Sequence, residues 1–216
     1  MRFILDVGSG ASLPDIATAR RVVDAIKAID THKHEVVLKA QLFTDIPPNT
    51  SLAHSVFGEL YGYGKEAGYQ VTASVFDKES LVYLLGFEVP FIKIACRPDL
   101  YWLVGEIPRK VPVYVSVQDW IVFWNAFSRS DGEEIGETQK IFNLACVPKY
   151  PASVEDYGNR GPDDGVSDHT IDWELFRKWN GEEMVMWEVH FALDDASGPD
   201  AGPFARRVAQ LQEVLR

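Results

Sequence analysis

Two short strand-like runs each end in a histidine with a polar residue two positions before it. Gly165-Val-Ser-Asp-His-Thr170 carries Ser167 and His169, and Trp187-Glu-Val-His-Phe191 carries Glu188 and His190. Side chains two apart on a strand share a face, so each pair projects together. The helix-like run Asp172 to Asn180 separates them. A parallel β-α-β unit results, with both imidazoles at one end of a sheet. Taken singly, each reads more readily as a hydrogen-bonded core histidine than as a ligand; taken together, with Asp168 and Glu188 nearby, they are donors for a divalent ion. Lys39 and Lys93 carry a second signal. Each lies within an apolar run, Val36 to Leu42 and Phe91 to Ala95, where an unpaired ammonium is costly to bury. Either Asp6 or Glu188 neutralises them, or they hold an anionic ligand. With nearby serine hydroxyls they suit a phosphate, for which charge-assisted hydrogen bonds are the strong ones.

The elements that must position these groups alternate along the chain. Phe3 to Val7, Val36 to Leu42, Gln70 to Val75, Phe91 to Ala95, Val113 to Val117, Ile141 to Cys146, Gly165 to Ser167 and Met184 to His190 read as strands. Between them, Asp15 to Ile29 has apolar residues at helical spacing with Pro14 placed for a first turn, and Leu52 to Ala67 ends at Gly68. Glu79 to Leu85, Leu100 to Ile107, Trp120 to Phe127, Asp172 to Asn180 and Phe204 to Leu215 complete the helices. Eight strands alternating with helices predict a TIM-type (β/α)8 barrel, formed by residues 1–216 as a single domain. It is trimmed: Pro151 to Asp164 holds prolines, glycines and aspartates without an apolar stripe, so a loop replaces the helix between strands six and seven. That side then exposes apolar surface, which points to self-association.

Barrel sites gather at the carboxyl ends of the strands. There the strands deliver, in order, Asp6, then Lys39 and Gln41, then Ser74, Lys93, Ser116, Tyr150, Ser167 with His169, and Glu188 with His190. The net charge of −11 offers no basic stripe to a phosphate backbone and argues against nucleic acid. Met1 to Asp6 is neither a signal peptide nor long enough to span a bilayer, so the expected location is the cytoplasm, without membrane contact. Cys96 and Cys146 have no metal-type spacing and read as small buried apolar residues.

With these positions in hand, the chain resembles the N-acetylneuraminate (sialic acid) synthase family, in order over almost its whole length. Leu5-Asp-Val-Gly8 is similar to the family's A-E-I-G, Leu38-Lys-Ala-Gln41 to its K-F-Q, and Val71 to Asp77 to its F-I-S-T-P-F-D. Val89-Pro-Phe-Ile-Lys-Ile-Ala-Cys96 resembles V-P-A-Y-K-I-A-S, Val111 to Ser116 resembles K-P-V-I-L-S, and Ala145-Cys-Val-Pro-Lys-Tyr-Pro151 resembles H-C-X-X-X-Y-P. Val166-Ser-Asp-His-Thr170 stands for S-D-H-T, Glu188-Val-His-Phe191 for E-K-H-F, and Gly198-Pro-Asp200 for the G-P-D that follows. The resemblance implies condensation of phosphoenolpyruvate with an aldehyde or amino-sugar acceptor, giving a 2-keto-3-deoxy sugar acid and phosphate. Lys39, Gln41, Ser74, Lys93, Ser116, Tyr150 and Ser167 would hold phosphoenolpyruvate. His169 and His190 would bind a divalent metal, manganese first, with magnesium or cobalt as substitutes. Asp200 would contact the sugar, and Glu188 or Asp6 would orient or activate the water that completes loss of phosphate.

The departures fall mainly on the acceptor side. Ser9-Gly-Ala-Ser12 replaces the family's N-H-X-G loop, Val75 follows Ser74 where the family has threonine and proline, Cys96 replaces a serine, and Pro148 replaces an asparagine. Proline has no side-chain donor. The family's C-terminal antifreeze-like domain has no counterpart in these 216 residues. The leading expectation is therefore a minimal synthase with an unusual acceptor. Two alternatives stand beside it: a barrel without turnover that serves as a ligand- or metal-binding or assembly subunit, and a full synthase completed by a separately encoded domain.

Overall fold

In the computed structural model of the protein, which describes residues 1–45, 49–119, 121–123, 125, 139–158, 164–179 and 185–216, eight parallel strands close on themselves in chain order. They are β1 (Arg2–Gly8), β2 (Glu35–Leu42), β3 (Gln70–Val75), β4 (Ile92–Ile94), β5 (Val113–Val117), β6 (Ile141–Cys146), β7 (Gly165–Asp168) and β8 (Met186–His190). Closure comes from β1 against β8, in a register running from Arg2 opposite Met186 to Asp6 opposite His190. The (β/α)8 barrel expected from strand and helix alternation is the fold.

The outer helices follow from capping and stripe. In α1 (Ile16–Ile29) the Asp15 side chain accepts from the Thr18 N–H, and Ala19, Val22, Val23, Ile26 and Ile29 are buried at helical spacing. Asp15 is thus the cap and Pro14 lies outside the first turn. α2 (His54–Glu66) buries Val56, Phe57 and Leu60, and α3 (Lys78–Leu84) is capped by Asp77, which accepts from Ser80 N–H. The helix expected over Leu100–Ile107 is two pieces, a 3-10 turn at Pro98–Leu100 and α4 (Leu103–Glu106). Of the helix expected over Trp120–Phe127, residues 121–123 and 125 are described and helical, and the other four lie outside the described residues. Between β6 and β7 the described residues hold one 3-10 turn, Val154–Tyr157, closed by a Ser153–Asp156 capping box. α5 (Glu174–Lys178) and α6 (Val208–Leu215) complete the set.

The last helix starts four residues later than expected. Ala205 and Arg206 run alongside the end of β8 instead: the Arg206 N–H donates to His190 O at 2.7 Å, and Ala192 N–H donates to Arg206 O at 3.0 Å. Those backbone bonds compete with the helix and leave Phe204 on the barrel mouth rather than on a helix face.

Inside the barrel, the lower layer is apolar: Ile4, Val37, Phe91, Tyr114, Leu144 and Met186 pack with Phe142 against them. Phe91 and Tyr114 stack with centroids 3.9 Å apart. Two residues further along the strands the inward positions turn polar, as the period of two requires. Among the described residues no helix is long and apolar enough to cross a membrane.

Candidate active site

Above the apolar floor lies a cavity of about 360 Å³ at the carboxyl ends of the strands, a size suited to a small ligand. Asp6, Lys39, Gln41, Ser74, Lys93, Ser116, Tyr150, Ser167, His169, Glu188, His190 and Asp200 all line it. These twelve residues thus share a single chamber, whereas Asp168, expected beside the imidazoles, does not line it. Cys96, Cys146 and Pro148 line it too.

The two lysines are answered differently. Lys39 donates to Asp6 Oδ2 at 2.6 Å and to Ser74 Oγ at 2.8 Å, with Glu188 Oε2 at 4.0 Å. Lys93 donates to Ile94 O at 2.9 Å and Ser116 Oγ at 2.7 Å, and its nearest carboxylate, Glu188 Oε1, stands at 3.8 Å. Burial alone would lower the Lys39 pKa, but the charges of Asp6 and Glu188 outweigh it and the net shift is upward. For Lys93, burial dominates, Glu188 opposes it only partly and the Lys39 charge adds to it, so the net shift is downward. Lys93 is the cation with charge to spare for a ligand. Burial pushes the Asp6 carboxyl up, yet Lys39, His190 and the Gly8 N–H, which donates to Asp6 Oδ1 at 2.9 Å, bring it down to about 2.

The imidazoles face each other with ring centroids 5.5 Å apart. His169 Nδ1 lies 2.7 Å from Val147 O. A carbonyl only accepts, so Nδ1 carries the proton and the Nε2 lone pair is left towards Ser167 Oγ at 3.4 Å. Burial, then the proximity of His190, holds the His169 pKa down at about 3, so the ring is neutral and ligand-competent. His190 has Asp6 Oδ2 3.9 Å from Nε2 and Asp200 Oδ1 3.8 Å from Nδ1, and its buried Nδ1 has no hydrogen-bond partner among the described residues. Glu188 Oε1 accepts from Ser167 Oγ at 2.8 Å, while Oε2 is buried without a hydrogen bond. Buried polar atoms left unmatched inside a chamber are ones that a bound ligand or ion would satisfy. Among the described residues no three His, Cys, Asp or Glu side chains converge as a closed metal centre needs. His169 and His190 are the residues that could hold an ion, and two imidazoles alone would leave it open to other donors, unlike a closed structural zinc site.

Asp200 sits on the β1 side. Its Oδ2 accepts from Ser9 N–H at 3.3 Å and Ser9 Oγ at 3.1 Å, and its Oδ1 accepts from Gln41 Nε2 at 3.0 Å. The close approach depends on glycine at two places. Gly8 has φ +85° and a Cβ there would lie 2.9 Å from Asp200 Cβ; Gly198 has φ +95° and a Cβ would lie 2.7 Å from Ala11 Cβ. Above the histidines, Tyr150 packs on His169 with centroids 4.2 Å apart, and Phe204 meets His190 edge-on at 4.9 Å.

One expectation is corrected. Asp168 does not face the imidazoles; it is fully buried outside the chamber, where Arg206 Nη2 donates to its Oδ2 at 2.7 Å. The cause is alternation: Ser167 and His169 point inward, so the residue between them points outward. Phe204, Phe76 and Arg97 on the chamber wall, and Arg206 behind it, were not singled out from the sequence. Only Arg206 had a signal there, a basic residue in a run with Arg207 that reads equally as solvated surface.

No protein-family model and no curated protein matches the sequence. Among solved structures, N-acetylneuraminic acid (sialic acid) synthetase from Leptospira borgpetersenii in complex with citrate is similar at TM-score 0.77 and 18% identity, over 99% of this chain and 80% of that one. A spore coat polysaccharide biosynthesis protein from Bacillus subtilis is similar at TM-score 0.71 and 20% identity, over 99% and 65%. A truncated 3-deoxy-D-arabino-heptulosonate 7-phosphate synthase from Thermotoga maritima reaches TM-score 0.66 at 11% identity, over 99% and 84%. At these identities the likeness is one of fold.

Proposed function

We propose that this barrel condenses phosphoenolpyruvate with an aldehyde or amino-sugar acceptor, releasing phosphate and a 2-keto-3-deoxy sugar acid. The observation that carries the reading is the pairing of each interior lysine with a serine hydroxyl, Lys39 with Ser74 and Lys93 with Ser116, on the floor of a chamber whose rim holds two imidazoles. Two ammonium groups and two hydroxyls suit the carboxylate and phosphate of one small dianion or trianion. Gln41, Ser167 and Tyr150 border the same volume.

His169 and His190 would hold a divalent ion, manganese by preference. Such an ion supplies Lewis-acid polarisation of the acceptor aldehyde when bound. The chain's own residues do the rest. Lys39 and Lys93 orient the enolpyruvyl group and offset the charge of the departing phosphate. Glu188, with one oxygen held by Ser167 and the other uncommitted, takes the proton from the attacking water, with Asp6 as the fixed counter-charge to Lys39. Asp200, anchored by Ser9 and Gln41, contacts acceptor hydroxyls.

The test is mass spectrometry of products after incubation with phosphoenolpyruvate, manganese and a panel of aldoses and N-acetylhexosamines. A product heavier than the acceptor by an enolpyruvyl unit plus water, with phosphate released in equal amount, supports the reading. Pro148 and Cys96 on the chamber wall favour a second reading, a barrel that binds the ligand or metal without turnover. In that case phosphoenolpyruvate binds and no product forms with any acceptor.

A further inference from the structure

We propose that Arg206 is a positioning residue for the two imidazoles, fixing the ends of β7 and β8 and thereby the separation of His169 and His190. The inference rests on the reading of these histidines as the metal-holding pair. Arg206 is fully buried. Nη2 donates to Asp168 Oδ2 at 2.7 Å, and Nη1 donates to Thr170 O and to Phe204 O, each at 2.7 Å. Its guanidinium lies over the Trp173 ring at 4.7 Å. Its main chain donates to His190 O at 2.7 Å and accepts from Ala192 N–H at 3.0 Å.

One residue thus grips both chain neighbours of His169, the backbone of His190, and Phe204, which packs edge-on against the His190 ring. Asp168 closes the same turn from the other side, accepting from Thr170 N–H at 2.8 Å and Thr170 Oγ1 at 2.7 Å. The His169 backbone is therefore clamped between two fixed residues. A buried ion pair is weak evidence for stability, because an apolar pair of similar volume often serves as well. What a guanidinium adds is direction: its planar fork holds three acceptors at set angles, which an ammonium cannot do. A misplacement of about 1 Å at reacting groups lowers rates roughly 100-fold.

The test uses protein labelled with 15N in the imidazole rings, as wild type, as Arg206→Lys, and as the double variant Arg206→Met with Asp168→Asn, which removes the pair without stranding a buried charge. Two-bond proton–nitrogen spectra report the tautomer and surroundings of His169 and His190 directly. In variants that keep a cooperative melt, we expect the signals of both rings to shift or broaden. Manganese affinity should fall about tenfold or more, as for other groups that orient metal ligands, while phosphoenolpyruvate affinity stays within about twofold because Lys39 and Lys93 are not among the groups Arg206 touches. Folded variants with wild-type ring spectra would overturn the proposal, and so would loss of the fold in both, which would mark Arg206 as a residue of stability alone. The ring spectra require neither phosphoenolpyruvate nor turnover. A wild-type protein that makes no product sinks the synthase reading and leaves this test standing.

Discussion

Replacing each interior lysine by methionine should separate a counter-ion from a ligand anchor, because the two ammonium groups differ in what they leave behind. Lys39 lies 2.6 Å from Asp6 with both side chains almost fully buried. Lys39→Met strands a carboxylate that keeps only the Gly8 N–H at 2.9 Å and Gln41 Nε2 at 3.0 Å. Breaking a buried pair in this way costs roughly 3–5 kcal/mol, and the two remaining donors place the expectation near the lower end, at about 3 kcal/mol. In a chain of this size that is a fall in Tm of roughly 6–12 °C. Lys93→Met removes a cation whose nearest carboxylate, Glu188 Oε1, stands at 3.8 Å and is also held by Ser167, so relief of desolvation offsets most of the lost bonds to Ile94 and Ser116, and the stability change should stay within about 1.5 kcal/mol of zero. The order reverses for the ligand. A charge-assisted contact of about 1.5–3 kcal/mol makes phosphoenolpyruvate bind roughly 10- to 150-fold more weakly to Lys93→Met. Urea denaturation and calorimetric titration read the two effects on the same samples. Joining Asp6→Asn to Lys39→Met should recover most of the stability, since Asp6 is then no longer a buried carboxylate stripped of its ammonium partner. Equal destabilisation by the two lysine variants would refute the assignment of partners, and unchanged phosphoenolpyruvate affinity in Lys93→Met would remove the phosphate site with most of the case for a synthase.

Acid should weaken the fold through two groups. His169 is held near 3 against an ordinary value of 6.5, so the unfolded chain takes up a proton that the native one does not. Stability is then lost from about pH 6.5 downward, at up to about 1.4 kcal/mol per pH unit, and Asp6, depressed to about 2 from 3.8, adds a further loss below about pH 4. A urea midpoint that is flat between pH 7 and pH 4 would contradict this. Manganese occupancy should drop in both His169→Ala and His190→Ala; equal occupancy in wild type and both variants, by metal analysis after soaking, would end the shared-ion assignment. Gly8→Ala should destabilise by roughly 2 kcal/mol or more, since φ +85° is unfavourable for alanine and its Cβ would meet Ser12 Oγ at 2.7 Å. A wild-type melt for that variant would mean that the Ser9–Ser12 turn yields freely.

Much of this protein was legible in the sequence because its signals are local. Strand period two alone put Ser167 with His169, Glu188 with His190, and Lys39 with Gln41 on shared faces, and a barrel turns such faces inward at one rim. Helix one announced itself by a stripe from Ala19 to Ile29, and the turn composition before β7 matches the single 3-10 turn that the described residues hold there. Other features depend on groups that the chain separates widely. Which carboxylate answers which lysine is set by the stagger between strands, Asp6 lying opposite Lys39 and Ser167 opposite Glu188, and nothing in either segment encodes that offset. The same applies to Asp168, whose motif made it look like a neighbour of the two imidazoles. Its partner Arg206 lies 38 residues on, in a run that resembles the start of an amphipathic helix. Local periodicity favours helix there, and only the packed barrel end, with the free backbone edge at His190 and the buried charge of Asp168 to satisfy, tips the segment into an extended clamp.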